Sequence, residues 1–268
     1  MPSGGGVQEA TIQWYPGHMA TAMRKLGERL AIVDVLVEVL DARVPRASSN
    51  PALDKLAARK PRLVILGRED LADPHATREW LAWHEAHGRT AIAVNGKDQS
   101  SVKRIAAALA AFVAERGTTR AMVVGIPNTG KSSIINGLLR RTAAKAEDKA
   151  GVTRSLQWFR VAPKLEVMDT PGILVPKIAT PEAQWQLALT GALPRERFDA
   201  EAVIQNFAAW AHAHRPHAAV PDLETFARGR FATRGGGADL HNAAGAYLKD
   251  FNDGKFGRIT FERPEPAP

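Results

Sequence analysis

The sequence predicts an α/β protein: a mostly parallel sheet covered on both faces, followed by a small all-helical region. Three observations carry this. Strand-like and helix-like stretches alternate from residue 35 to residue 139, the pattern of crossover units in a parallel sheet. A glycine-rich loop, "GIPNTGKSS" at 125–133, lies between an apolar strand and a helix, the setting of a phosphate-binding loop. Beyond Pro176 the strand-like runs stop and alanine-rich helical stretches take over.

The elements follow in order. Met19, Met23, Leu26, Leu30 and Val33 recur at helical spacing, with Arg24, Lys25, Glu28 and Arg29 off the apolar stripe, which predicts an amphipathic helix. "VLVEVLDAR" (35–43) reads as a strand, followed by a loop and a short helix near 51–59. "RLVILG" (62–67), "TAIAVN" (90–95) and "AMVVGI" (121–126) read as strands, with helices near 75–87, near 101–116 and from Ser132. "QWFRVA" and "LEVMDT" form a hairpin around Pro163-Lys164. Helices are expected in "PEAQWQLALTGAL", "AEAVIQNFAAWAHAH", "DLETFARGRF" and "LHNAAGAYLKDF".

The chain of 268 residues has no cysteine, which removes disulfides and thiolate chemistry together. No apolar run is long enough to span a bilayer, and "MPSGGGVQEA" lacks the marks of a signal peptide. A cytoplasmic protein with no membrane partner is the expectation. The net charge of +8 suggests a polyanionic partner. From Ala183 onward ten Lys and Arg balance ten Asp and Glu, so the excess lies in the first 182 residues.

Gly125, Gly130, Lys131 and Ser132 fit G-x-x-x-x-G-K-[ST]. Backbone amides of residues 128–133 (Asn128, Thr129, Gly130, Lys131, Ser132 and Ser133) would wrap the phosphates. Lys131 would neutralise the outer ones, and the Ser132 hydroxyl would bind Mg²⁺. "VMDTPG" at 167–172 ends a buried strand in Asp169, a second Mg²⁺ position, and the Gly172 amide would meet the γ-phosphate. Thr153 is a candidate third Mg²⁺ hydroxyl on a switch segment. D-T-P-G is more a GTPase idiom than an ATPase one. The residue after it is Ile173, which cannot orient water as a glutamine does there in Ras-type enzymes.

No strand after Gly172 carries a guanine-reading Asn-Lys-x-Asp, so the base site is expected upstream of the phosphate loop. Two strand ends offer candidates: Gly67-Arg68-Glu69-Asp70, and Asn95-Gly96-Lys97-Asp98 with altered spacing. Either is also an ordinary strand-to-helix turn by composition.

"WYPGHM", "LDARVPRASSNPAL", "GIPNTGKSSIINGL", "GVTRSLQW", "MDTPGIL" and "FGRITFE" occur in this order. Together they resemble the ribosome biogenesis GTPase A family (YlqF/RbgA), circularly permuted GTPases that assist assembly of the large ribosomal subunit. The resemblance implies a permuted Ras-like, P-loop sheet over 12–178, after a flexible tail over 1–11. A helical, RNA-contacting domain follows over 179–268. It favours Arg68 and Asp70 as guanine-binding and leaves Asn95 in the loop backing the ring. His18 matches a family histidine implicated in hydrolysis, and Asn128 an asparagine of K⁺-activated GTPases. The cofactors implied are GTP or GDP, Mg²⁺ and K⁺. The partners implied are the large-subunit precursor, its rRNA and ribosomal proteins, with the factor a monomer off the ribosome.

The departures matter as much. The family's Asn-Lys-x-Asp reads here as Gly67-Arg68-Glu69-Asp70. Asp70 survives to reject adenine, and Arg68 keeps a cation able to stack. Gly67 cannot make the asparagine contact, so weaker guanine binding is expected, and Gly67→Asn is expected to tighten it. Asp41 and Arg43 of "DARVP" are expected to pair and fix their loop. Arg228, Arg230 and Arg234 on a glycine-rich loop, with the basic 140–164 region, are the expected RNA contacts. Together these features point to a GTP-hydrolysing timer of large-subunit assembly. The rival is a nucleotide-gated RNA-binding module without efficient turnover. A small-molecule kinase is opposed by D-T-P-G and the lack of an acceptor site.

Overall fold

Side chains alternate across the central strands, and this alternation builds a sheet with two apolar faces. The computed structural model describes residues 24, 26–58, 60–113, 117–143, 158–170, 178, 180–218, 220–233 and 237–265. Six strands run β1 (Val35–Asp41), β2 (Arg62–Gly67), β3 (Thr90–Val94), β4 (Thr119–Val124), β5 (Trp158–Ala162) and β6 (Leu165–Asp169). They form one sheet in the order β3-β2-β1-β4-β6-β5. All neighbouring pairs are parallel except the β5–β6 hairpin.

Val35, Val37 and Val39 of β1, Leu63 and Ile65 of β2, Ala121 and Val123 of β4, and Leu165 and Val167 of β6 share one buried cluster. Two helices close that face, α4 (Gln99–Ala110) through Val102, Ile105 and Leu109, and α5 (Lys131–Ala143) through Ile134, Ile135 and Leu138. The other face holds two clusters. Leu36, Met122, Val124 and Met168 pack with Leu26, Leu30 and Val33 and with Leu53 of helix α2 (Pro51–Leu56). Leu40, Val64 and Leu66 pack with Trp80 of α3 (Pro74–Ala86). Period-two burial on both faces is what a doubly covered parallel sheet demands. The short helix α1 (Pro45–Ser48) opens on a proline and went unread in the sequence.

Helix α3 carries a buried oddity. His84 is 3% exposed, sits 5.1 Å from the Trp83 ring, and neither ring nitrogen finds a partner among the described residues. Burial, then the nearby charges of Arg89, His87 and Arg62, lower its pKa from 6.5 to about 4. The folded state therefore refuses a proton that the unfolded chain accepts. The neutral-His contribution is complete above pH 6.5 and is lost as pH falls towards 4, by about 3 kcal/mol at most. Glu262, pushed up by burial to about 7, acts in the opposite sense over the same range. The comparison that isolates His84 is urea unfolding of the native chain and His84→Phe at pH 7 and pH 4.5. The native chain is expected to lose more stability than the variant. Equal losses would remove His84 from the account.

The described residues divide into two compact units, one of residues 24–170 with 260–265 and one of residues 178–259. The sequence places the whole of 179–268 in the helical domain. Residues 260–265 instead hydrogen-bond to the sheet-bearing unit, because an extended segment without apolar period satisfies its backbone against a neighbouring loop. The helical unit contains α6 (Pro181–Leu189), α7 (Ala200–His214), α8 (Leu223–Arg230) and α9 (Leu240–Asn252). Side chains of Thr180, Asp199, Asp222 and Asp239 cap their first turns. Phe207 meets Phe251 edge-on at 5.1 Å, and Phe226 meets Tyr247 at 5.0 Å. The expected arginine loop is corrected here: Arg228 and Arg230 lie on α8. Arg228 pairs with Glu224, and Arg230 with the buried carboxylate of Asp250. Arg234 lies outside the described residues. Among the described residues no helix is long and apolar enough to cross a membrane.

Candidate functional site

Strand order reverses between β1 and β4. Ligands of open α/β sheets bind beyond the carboxyl ends of the strands at such a point. The glycine-rich loop leaves β4 there. Gly125 takes φ +152°, and a Cβ on it would lie 2.4 Å from the Val39 carbonyl oxygen, so the loop starts against β1 with no room for a side chain. Asn128 is left-handed at φ 60°, which asparagine tolerates better than most residues. Gly130 follows at φ +99°. The Ile126 carbonyl accepts from the Thr129 hydroxyl at 3.2 Å and the Lys131 ammonium at 2.5 Å, which closes the loop on itself. Thr129 and Lys131 are buried, while Ser132 and Ser133 are exposed in the first turn of α5. The loop therefore brings a run of backbone amides and a helix N-terminus together, which suits a polyphosphate.

Asp169 ends β6, with its backbone in register with Val123. The next residue, Thr170, donates its hydroxyl to the Val123 carbonyl at 2.6 Å. That bond fixes the end of β6 beside the phosphate loop. Ser132 brings a hydroxyl to the start of α5, an oxygen of the kind Mg²⁺ takes together with one or two carboxylates, phosphate oxygens and water. Among the described residues no group of three His, Cys, Asp or Glu forms a protein-only metal cage. His18, Thr153, Gly172 and the side chain of Asp169 lie outside the described residues.

The base-reading candidates meet the phosphate loop from the other side. β2 ends at Gly67, in register with Asp41 of β1 and Val94 of β3. A Cβ built on Gly67 would lie 2.4 Å from the Thr129 carbonyl oxygen. The backbone of "GRED" thus packs directly on the phosphate loop. A Cβ on Gly96, in the next loop, would lie 3.0 Å from Ser133 Cβ. The segments 67–70, 95–98 and 125–133 therefore converge on one edge of the sheet. This corrects the expectation for Gly67→Asn. The space an asparagine side chain needs is filled by phosphate-loop backbone.

Arg68 is left-handed at φ 57° and starts a single 3-10 turn, Glu69–Leu71, that carries the half-buried Asp70. The Arg68 Nε lies 4.0 Å from Asp41 Oδ2. Burial, then the neighbouring Arg43, lowers the Arg68 pKa, with Asp41 opposing. Glu69 pairs with Arg104 at 2.9 Å, and Arg104 also donates to the Ala93 carbonyl at 2.8 Å, tying this turn to the end of β3. Asn95 Oδ1 accepts from the Lys97 amide at 2.9 Å, a turn-forming bond. Asp98 caps α4 by accepting from Ser100 and Ser101. Its resemblance to the aspartate of a guanine motif is compositional.

Asp41 and Arg43 pair as the sequence suggests. Arg43 Nη2 lies 2.8 Å from Asp41 Oδ2, and the Arg43 Nε and backbone amide donate to Oδ1 at 2.9 Å and 3.0 Å. Both side chains are almost fully buried. What sequence reasoning missed is their place beside Arg68, because strand neighbours are not sequence neighbours.

A family model described as "50S ribosome-binding GTPase" matches residues 120–213. That span starts at the phosphate-loop strand and leaves out β1 to β3. The "Ribosome biogenesis GTPase A" of Bacillus cereus is 36% identical, with 95% of this chain and 94% of that protein aligned. The GNP-bound structure of YlqF from Thermotoga maritima superposes with a TM-score of 0.74 at 30% identity, over 91% of this chain and 99% of that one. Its GDP-bound structure gives 0.72 at 32%, over 91% and 100%. Both cover the upstream strands as well as the phosphate loop, so the order of β1 to β3 before the phosphate loop is shared with them. The chain belongs to the ribosome biogenesis GTPase A family and is a circularly permuted P-loop GTPase.

Proposed function

We propose that this GTPase assists assembly of the large ribosomal subunit, binding the precursor particle with GTP and leaving it on hydrolysis. The observation that carries the reading is the convergence of 67–70, 95–98 and 125–133 on one sheet edge, which gives a GTP site both its ends. The family description and the relatives' names supply the ribosomal partner. In this reading Asn128 to Ser133 and Gly172 hold the phosphates, and Arg68, Asp70 and Asn95 surround guanine. Ser132, Asp169 and Thr153 would hold Mg²⁺, which would supply positive charge against the phosphates. Asn128 serves K⁺. Segments around Thr153 and after Gly172 order with the γ-phosphate and relax when it leaves. Ile173 leaves the attacking water without an orienting side chain at that position, and His18 supplies that role on the particle. The protein works in the cytoplasm as a monomer until it meets rRNA and ribosomal proteins, with 12–178 as the switch and the helical region as a contact surface.

Single-turnover GTP hydrolysis with and without large-subunit particles, in K⁺ and in Na⁺, tests this. Particles are expected to accelerate hydrolysis, and more so in K⁺. His18→Ala is expected to lower the stimulated rate by about 100-fold or more while GTP binding persists. A rate indifferent to particles would replace the timer by a nucleotide-gated binding module.

A further inference from the structure

The chain leaves the helical unit at Ile259 and runs on from Thr260 along the loop that follows β1. The Phe261 amide donates to the Arg43 carbonyl at 2.8 Å. The Glu262 carboxylate accepts from the amides of Arg46 at 2.6 Å and Ala47 at 3.0 Å, and the Glu262 carbonyl accepts from Trp80 Nε1 at 3.2 Å. Arg263 pairs with Glu79 at 2.8 Å and Asp73 at 3.6 Å. This strap is built into the fold by side chain and backbone alike.

Its first residue occupies a particular place. The Thr260 hydroxyl donates to the Ala42 carbonyl at 3.0 Å and accepts from the Asp73 amide at 3.1 Å. The Ala42 amide donates to the Gly67 carbonyl at 2.9 Å. Ala42 thus holds both ends of the segment 67–73, one end directly and the other through Thr260. Between those ends lie Arg68 and Asp70. Thr260 is 8% exposed, so water does not readily replace its hydroxyl.

We propose that Thr260 is a positioning residue for guanine recognition: its hydroxyl closes the ring Gly67–Ala42–Thr260–Asp73 and so sets where Asp70 presents its carboxylate. This rests on Asp70 reading the base. Thr260 touches no nucleotide in this account; it acts through the loop.

The test is the ratio of GTP to ITP affinity in the full chain. ITP lacks the exocyclic amine, so the ratio reports the Asp70 contact and is insensitive to a general loss of stability. Thr260→Val is expected to lower the ratio about two- to tenfold, the range of one misplaced hydrogen bond, and Thr260→Ser to restore it. Should Thr260→Val not fold, Arg263→Ala loosens the same strap through its exposed ion pairs, and a smaller fall in the ratio is expected. Asp70→Asn is the control. If Asp70→Asn abolishes the ratio while Thr260→Val, or Arg263→Ala in its place, leaves it native, the strap is only an anchor and the inference is overturned. If Asp70→Asn itself leaves the ratio native, the base assignment fails and the inference with it.

Discussion

Arg43→Ala is expected to destabilise the protein by about 3–5 kcal/mol, the cost of leaving a buried charge without its partner. Arg43 is 1% exposed and is among the largest fully buried side chains of the protein. Its guanidinium and backbone amide supply three hydrogen bonds to Asp41. After truncation, Asp41 keeps the backbone amide of residue 43 and has Arg68 only at 4.0 Å, a distance for attraction but not for a good hydrogen bond. A cavity adds to the loss. The pair Asp41→Leu with Arg43→Met should recover part of it, because an apolar pair of similar volume avoids the desolvation that a lone carboxylate suffers. Urea unfolding of the native chain and the two variants decides the matter. A loss below about 1 kcal/mol for Arg43→Ala would place this pair with exposed ones that contribute little.

Gly67→Asn is expected to weaken GTP and GDP alike, tenfold or more in dissociation constant, on the scale of an overpacked core at about 1–3 kcal/mol. Its Cβ would sit 2.4 Å from the Thr129 carbonyl oxygen, 3.4 Å from that of Leu40 and 3.5 Å from the Val39 side chain. The nearest of these is backbone and cannot swing away. Relief must come from moving the phosphate loop away from β2, which spoils amides that depend on the loop's closure over Ile126. Gly67→Ala should show most of the effect, since Cβ alone makes the contact. Fluorescence titration with labelled GDP and GTP measures both. Tighter binding by Gly67→Asn would mean that the loop yields and the asparagine finds a productive contact.

These two positions also show where the sequence was legible. Strand β2 was read at its bounds because a continuous apolar run and a terminal glycine are local signals. The β5–β6 hairpin was legible from local residues too. Gly67 read as a loss, an absent asparagine. Its use in letting two backbones touch depends on Thr129, sixty-two residues downstream. The strap beginning at Thr260 has no apolar period and no turn signature, so nothing local separates it from the helices before it. Arg230 looked like an anion contact because the buried carboxylate of Asp250 that it meets is twenty residues away. Contacts of this kind belong to topology, and only the folded sheet brings them together.

The claim at the centre is that guanine is read upstream of the phosphate loop, by Asp70. Titration of GTP and XTP against the native chain and Asp70→Asn tests it most directly. Xanthine carries a carbonyl where guanine carries its amine. An aspartate accepts from that amine, and an asparagine can donate to that carbonyl. The native chain should prefer GTP, and Asp70→Asn should prefer XTP. A variant that kept the native preference for GTP would place the reader of guanine elsewhere.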